Sequence, residues 1–301
     1  MDFHPEGAYQ NNTTRGYELL ALTNAIENNT TLEGRATVCD GDYNLWVDLG
    51  GIKGVIYKEE TAYSYGGNAV KDIAIISRVG KPVCFKVKGF TQNQKGEKIA
   101  LLSRKEAQEG CLAKIMQIPF GTILCAKITH LDSFGAFCDI GCGVIALLPI
   151  DMISVSRISH SGDRFYNGQI INVLLKNIDS DGKITVSHKE LLGTWEQNAA
   201  RFLAGQTVPG IIRSIEDYGI FVELAPNLTG LAEPKENCQI GDIASVYIKS
   251  IIPEKMKIKL NIIDSFSGQI DRSINYYNVE QPLKVWQYSP KCCQREIISI
   301  F

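Results

Sequence analysis

Three copies of one block constrain this chain more than any other feature. In residues 126–150, AKITHLDSFGAFCDIGCGVIALLPI, Ala126 opens a strand, Phe134 and Phe137 follow three residues apart, and Asp139 sits in an apolar run ahead of a glycine-containing turn. Two weaker copies flank it. Gly34, Ala126 and Gly210 correspond, as do Asp48, Asp139 and Glu223, and Gly54, Ala146 and Gly230. The first two copies lie 92, 91 and 92 residues apart at these markers, and the second and third lie 84 apart at all three. Offsets this constant mark a repeat architecture, in which one supersecondary unit recurs along the chain.

Within each copy the strands alternate. Leu45, Val47 and Leu49 in the first, and their counterparts around Phe137 and Phe221, fall on one face, whereas Trp46, Phe137 and Phe221 share the opposite face with Asp48, Asp139 and Glu223. Period two assigns the aliphatic set to a core and predicts that the carboxylates face water. Each copy closes with two further β-rich stretches, giving five short strands and hence a small closed barrel. A large ring beside an acid on the wet side of a strand is not explained by packing. It is the natural candidate for a binding surface.

The remaining stretches fit between barrels. Residues 1–32 carry a net charge of −3 and include one amphipathic helix, with Leu19, Leu22 and Ile26 on its apolar face, expected to pack on the first repeat. Residues 103–117 and 188–205 read as short helical connectors, the second with Leu191, Trp195 and Phe202 on its packing face. The resulting layout is a lead at 1–32, barrels at 33–105, 118–189 and 205–261, and an extension at 262–301 that is apolar enough to dock but fits no repeat.

These blocks resemble the S1 motif, an RNA-binding barrel of the oligonucleotide-binding (OB) fold. The family pattern runs Gly-x-Val-x-x-Ile-x-x-Phe-Gly-Ala-Phe-Val-Asp, then Gly-Leu-Leu-His-Ile-Ser, Val-Gly-Asp-x-Val and Lys-Ile-x-Leu-Ser. It is matched by residues 126–139, 146–151, 167–171 and 183–187, by 210–223, 230–233, 240–246 and 257–261, and more distantly by 34–48, 54–57 and 79–83. The resemblance covers about two thirds of the chain and its layout is similar to short bacterial proteins of the ribosomal-protein-S1 type. It implies an all-β fold of three tandem five-stranded OB barrels.

It also implies a binding face. The first aromatic position is Tyr43, Phe134 or Tyr218, and the second is Trp46, Phe137 or Phe221. The basic residue near the last strand is Lys98, Lys183 or Lys257, and the acidic one is Asp179. The third-strand histidine of the family is replaced by Tyr57, Pro149 and Glu233, of which Tyr57 can still stack a base and Glu233 would repel phosphate. On a regular strand two residues three apart point oppositely, so a bend at Gly135 or Gly219 (Asn44 in the first copy), with a turn or bulge at the first aromatic, is required for both rings to share a face.

Flat rings for bases and cations for the backbone are what single-stranded nucleic acid requires. The formal net charge of −2 gives no global attraction for it. Residues 33–105 nevertheless carry a net +4, whereas 118–189 balance and 205–261 come to −1. Phosphate attraction should therefore centre on the first barrel, with Lys53, Lys58, Lys86, Lys88 and Lys98 as candidates.

The expected activity is non-catalytic binding of single-stranded RNA, with mRNA in translation and small ribosomal subunit proteins as expected partners. The competing reading is a protein-interaction scaffold for the ribosome or RNA-decay machinery. No P-loop, nucleophile elbow or metal-binding histidine pair is present, so no enzyme is expected. Nine scattered cysteines favour reduced thiols over a disulfide framework or a metal site, and no cofactor is expected. With no long apolar run and no secretory leader, a cytoplasmic monomer is expected.

Overall fold

The computed structural model describes residues 3–8, 16–64, 70–268, 274–277 and 279–301. It contains three closed five-stranded barrels. The first is built from β1 (Leu32–Cys39), β2 (Leu45–Asp48), β3 (Lys53–Ile56), β4 (Pro82–Gln92) and β5 (Lys98–Ser103), and α1 (Leu19–Glu27) precedes it. Helix α2 (Asp72–Ile76) lies between β3 and β4, and α3 (Arg104–Ile115) leads to the second barrel. That barrel comprises β6 (Ile123–Asp132), β7 (Gly135–Asp139), β8 (Ile145–Pro149), β9 (Ile170–Ile178) and β10 (Ile184–Ser187), with α4 (Ile150–Ile153) after β8. Helix α5 (Trp195–Ala199) connects to β11 (Thr207–Glu216), β12 (Gly219–Ala225), β13 (Leu228–Ala232), β14 (Ile243–Ile252) and β15 (Lys257–Phe266).

In every barrel the first strand pairs antiparallel with the second and fourth, and the third pairs parallel with the fifth, which closes the sheet. This is the OB topology that the strand count and the resemblance imply. The alternation holds where it was expected to. Leu45, Val47, Ala136, Cys138, Ile220 and Val222 are all buried in barrel cores. Helix α1 seats Leu22 and Ala25 in the first core with Ile26 at its edge, but Leu19 is exposed, because the helix meets the barrel over little more than one turn.

The barrels are not beads on a flexible string. Helix α3 buries Ala107, Cys111, Leu112 and Ile115 in the core cluster of the second barrel, where Cys84 of β4 joins them. At the other junction Leu174 of β9, Leu191 and Trp195 belong to the core of the third barrel. The C-terminal extension docks there too. A hairpin of β16 (Val285–Gln287) and β17 (Ile298–Ile300) places Leu283, Trp286 and Tyr288 in the same cluster. Backbone hydrogen bonds from Leu283 to Gly121 and from Trp195 to Tyr288 tie it to the second barrel and to α5.

Two of the three strand-two carboxylates contradict the expectation that they face water. Asp48 is exposed, but Asp139 and Glu223 are buried at 3% and 4% relative exposure. Both do lie on the outer face of their barrel. That face is covered because a neighbouring segment packs on it. Asp139 accepts hydrogen bonds from the backbone of Glu6, Gly141 and Gly143. Glu6, from the N-terminal segment, is held by Arg104 Nε at 2.7 Å and Nη2 at 2.9 Å and by Arg78 Nη1 at 3.2 Å. Glu223 bonds Arg164 Nη1 of the second barrel at 2.6 Å and Arg213 Nε of its own first strand. Each carboxylate therefore belongs to a buried ion cluster at a barrel junction.

Burial and the nearby Glu6 charge push the Asp139 carboxyl up to about 7, against the backbone donors and Arg104. Burial opposes ionisation of Glu6 as well, but the two arginines hold its carboxyl below the ordinary range. The nine cysteines are free thiols. No group of histidine, cysteine and acidic side chains among the described residues is arranged to hold a metal, and no helix there is long and apolar enough to cross a membrane.

Candidate nucleic-acid interface

The aromatic pairs come together in the second and third barrels by one local device. A two-residue turn, Ser133–Phe134 or Asp217–Tyr218, joins the first two strands, and a glycine follows it directly. A Cβ on Gly135 would stand 2.4 Å from the Leu148 carbonyl oxygen, and one on Gly219 2.5 Å from that of Ala232. Only glycine lets the hairpin lie this close to the third strand. The turn then brings the first ring over the second. Phe134 and Phe137 have centroids 5.9 Å apart at 84°, and Tyr218 and Phe221 6.1 Å apart at 88°. These edge-to-face pairs leave ring faces open: Phe134 is 51% and Tyr218 68% exposed, with Phe137 and Phe221 half-buried beneath them.

The turn stands at the first aromatic, as the sequence requires, and a bulge is present as well. It lies on the partner strand, between Ala36 and Val38, Ile128 and His130, and Ile212 and Ser214. The shift sets Val38, His130 and Ser214 directly opposite Trp46, Phe137 and Phe221. Strand register then defines a row across each outer face. It reads Val38, Trp46, Val55 and Leu101 in the first barrel, His130, Phe137, Leu147 and Thr185 in the second, and Ser214, Phe221, Leu231 and Lys259 in the third.

The first barrel departs from this plan. Asn44 replaces the glycine, the connection from β1 to β2 lengthens to residues 40–44, and Tyr43 adopts a left-handed φ of 63°. The Tyr43 ring is half-buried with the Lys58 ammonium 4.4 Å from its centroid. Trp46 donates its indole N–H to Asp40 at 3.0 Å. Burial acts to raise the Asp40 carboxyl, but the hydrogen bonds it accepts from Asn44, Trp46 and Asp42 hold it below its ordinary range. Tyr57, directly after β3, is 46% exposed and is the most open ring of this barrel's set.

The cations are also redistributed. Lys58 pairs with Asp72 at 2.9 Å, and Lys88 bridges Glu60 and Glu106. Two of the five lysines expected to attract phosphate to the first barrel thus already have carboxylate partners. Lys98 sits one residue ahead of the position that Lys183 and Lys257 occupy. The parallel register gives that place to buried Ile99, and the Lys98 ammonium lies 5.3 Å from the Phe90 ring. Lys183 and Asp179 share the turn between β9 and β10, where Asp179 accepts from the backbone of Asp181 and Lys183 and Lys183 pairs with Asp181.

Lys257 is exposed but lies two residues along β15 from the ring row, whereas Lys259 stands in it. Glu233, read from sequence as repelling phosphate, is paired with Lys249 at 2.8 Å, and that hydrogen bond lowers its carboxyl. Sequence reasoning missed Lys259 and His130. The alternation of Lys257, Ile258 and Lys259 carried the signal for the first. The second depended on a bulge that nothing local announces.

Comparison with known proteins agrees with this geometry. The S1 RNA binding domain family matches residues 118–189, the whole of the second barrel. Small ribosomal subunit protein bS1 of Neisseria meningitidis serogroup B is 26% identical over 264 residues, covering 83% of this chain and 46% of that protein. The bS1 protein of Leuconostoc lactis is 30% identical over 180 residues, covering 54% and 42%. That of Staphylococcus saprophyticus is 28% identical over 280 residues, covering 85% and 67%. The chain therefore spans less than half the length of the first two relatives.

Proposed function

We propose that this chain, a three-barrel OB-fold protein whose second barrel matches the S1 RNA binding domain family and which is related to ribosomal protein bS1, binds single-stranded RNA by stacking bases on the paired rings of its outer faces. The observation that carries this reading is the edge-to-face pair at 5.9 and 6.1 Å in two successive barrels, each leaving an aromatic face to solvent. Stacking contributes about 1–3 kcal/mol per base and tolerates any sequence. Phe134, Phe137, Tyr218 and Phe221 are the principal stacking residues, with Trp46 and Tyr57 a third station and Tyr43 under its lysine a weaker one. Lys98, Lys183, Lys257 and Lys259 supply phosphate contacts, and Asp179 shapes the turn that presents Lys183.

Packed junctions fix the three stations in one frame, so a strand held at one meets the next at high effective concentration. Because the first barrel's lysines are partly neutralised, the salt dependence belongs to all three barrels and is not concentrated in the first. The RNA proposed is mRNA, engaged during translation on the small ribosomal subunit, with that subunit's proteins as neighbours and the chain itself monomeric. A protein-docking reading is favoured by the tail hairpin alone, where Val285, Ile298 and Ile300 are exposed together.

Titration of a labelled single-stranded RNA at two salt concentrations separates the two readings. Binding that weakens as salt rises supports the RNA reading, and none at low salt leaves the docking reading. Sedimentation of a lysate then tests the finer claim, with co-migration with small ribosomal subunits expected.

A further inference from the structure

The four histidines differ in what holds them. His4 Nδ1 lies 3.1 Å from the Pro5 carbonyl and 3.9 Å from Glu33, His160 Nδ1 accepts from the Gly162 backbone, and His188 is buried between the Ile153 carbonyl and the Tyr276 hydroxyl. His130 has no polar partner among the described residues, and it is exposed. Among the described residues its ring contact is with the candidate RNA face. The imidazole centroid is 6.1 Å from that of Phe137, with the rings inclined at 33°. With Phe134 also against Phe137, the second barrel presents three neighbouring rings where the third presents two.

This placement follows from the bulge. It takes Thr129 out of register and sets His130 opposite Phe137, while the Thr129 hydroxyl donates to the Phe137 carbonyl at 3.0 Å and fastens the two strands there. The first and third barrels hold Val38 and Ser214 at the same point, so the imidazole is particular to the second. On the far side of Phe137 the third strand offers Leu147 and, at its end, Pro149, neither of which can donate a hydrogen bond from its side chain. Of the two acids on this hairpin, Asp132 accepts from the Ser133 backbone and hydroxyl, and Asp139 is buried beneath the N-terminal segment.

We propose that His130 is an RNA-contacting residue of the second barrel, its ring N–H donating to a phosphate oxygen of the nucleotide whose base stacks on Phe137. The inference rests on the RNA-binding reading above and adds to it the group that holds the backbone at this station. A ring beside the stacking surface, whose nitrogens have no protein partner among the described residues, can make a charge-assisted hydrogen bond to an anionic oxygen.

The test uses the full chain and a fluorescein-labelled oligouridylate, with anisotropy read across a salt series. His130→Ala is expected to weaken binding about three- to tenfold. Phe137→Ala is expected to weaken binding at least as much as His130→Ala. His130→Lys is expected to restore affinity and to steepen the slope of log affinity against log salt by about 0.7, the increment for one added phosphate contact on a single strand. A purely structural role for the imidazole would not be rescued by a longer cationic side chain. Wild-type affinity in His130→Ala alongside weakened Phe137→Ala overturns the inference and leaves the RNA-binding reading standing. Weakening in His130→Ala without rescue or slope change by His130→Lys also overturns it. No RNA binding by the wild type overturns both.

Discussion

Replacing Glu6 with alanine tests whether the barrel junction is built on its ion cluster. The Glu6 carboxylate is 4% exposed and accepts two hydrogen bonds from Arg104, one from Arg78 and one from the Cys84 backbone at 3.1 Å. Without it, Arg104, itself 2% exposed, retains only the Thr61 carbonyl as a direct hydrogen-bond acceptor among the described residues. Breaking a buried pair from one side typically costs about 3–5 kcal/mol, because a charge is left unpaired out of water. Two effects pull toward the lower end. Removing Glu6 relieves its repulsion of Asp139, and an unlatched N-terminal segment admits water to Arg104.

A loss of about 3 kcal/mol corresponds to a fall of about 6–12 °C in the melting temperature of a unit the size of the first two barrels. Scanning calorimetry on the full chain measures it, and the third barrel serves as an internal reference if it melts separately. Pairing Glu6→Ala with Arg104→Met should recover much of the loss, since an apolar replacement of a buried pair is often neutral. A shift under about 2 °C in Glu6→Ala, corresponding to less than about 1 kcal/mol, would refute the account of the junction.

Two further outcomes follow from the packing. Gly219→Ala should destabilise the third barrel by about 1–3 kcal/mol, because its methyl would press on the Ala232 carbonyl, and it should weaken RNA binding by parting Tyr218 from Phe221; thermal unfolding and RNA titration check both. His188 is fully buried, and burial depresses its imidazole from 6.5 to about 4 despite the hydrogen bond to Ile153. The unfolded chain therefore takes up the proton first as pH falls. The stability that neutral His188 contributes is complete above about pH 6.5 and is lost toward pH 4, by about 3 kcal/mol. Urea unfolding of wild type and His188→Gln across this window should show their stability difference shrinking by that amount, and a constant difference contradicts it.

What could be read from the sequence was what each barrel repeats within itself. The constant offsets of Gly34, Ala126 and Gly210 placed all three barrels, and the period-two strands placed their cores. Gly135 and Gly219 were recognisable as the bend between rings because only a missing side chain permits it. Hidden from the sequence was whatever one barrel does to another. Asp139 looked solvated because Glu6, 133 residues earlier, and Arg104 cannot be seen from its own strand. Glu223 was obscured by Arg164 in the same way.

Register hid the rest. A parallel pairing is not encoded by its neighbours, so Lys98 was aligned with Lys183 where the sheet puts Ile99, and the bulge that brings His130 to Phe137 left no local mark. The extension was recognised as apolar enough to dock. Its seat on the third barrel, through Trp286 and Tyr288, needed the fold.

The central claim is that the rings on the outer faces bind RNA, and the variant Trp46→Ala, Phe137→Ala and Phe221→Ala combined tests it most directly. All three rings are half-buried on outer faces, beside strands whose core residues remain, so the barrels should stay folded by circular dichroism. If each ring stacks one base at the low end of the range, the losses compound to about 3 kcal/mol, more than a hundredfold in affinity for a labelled single-stranded RNA. A folded triple variant that binds this RNA as tightly as the wild type would contradict the account.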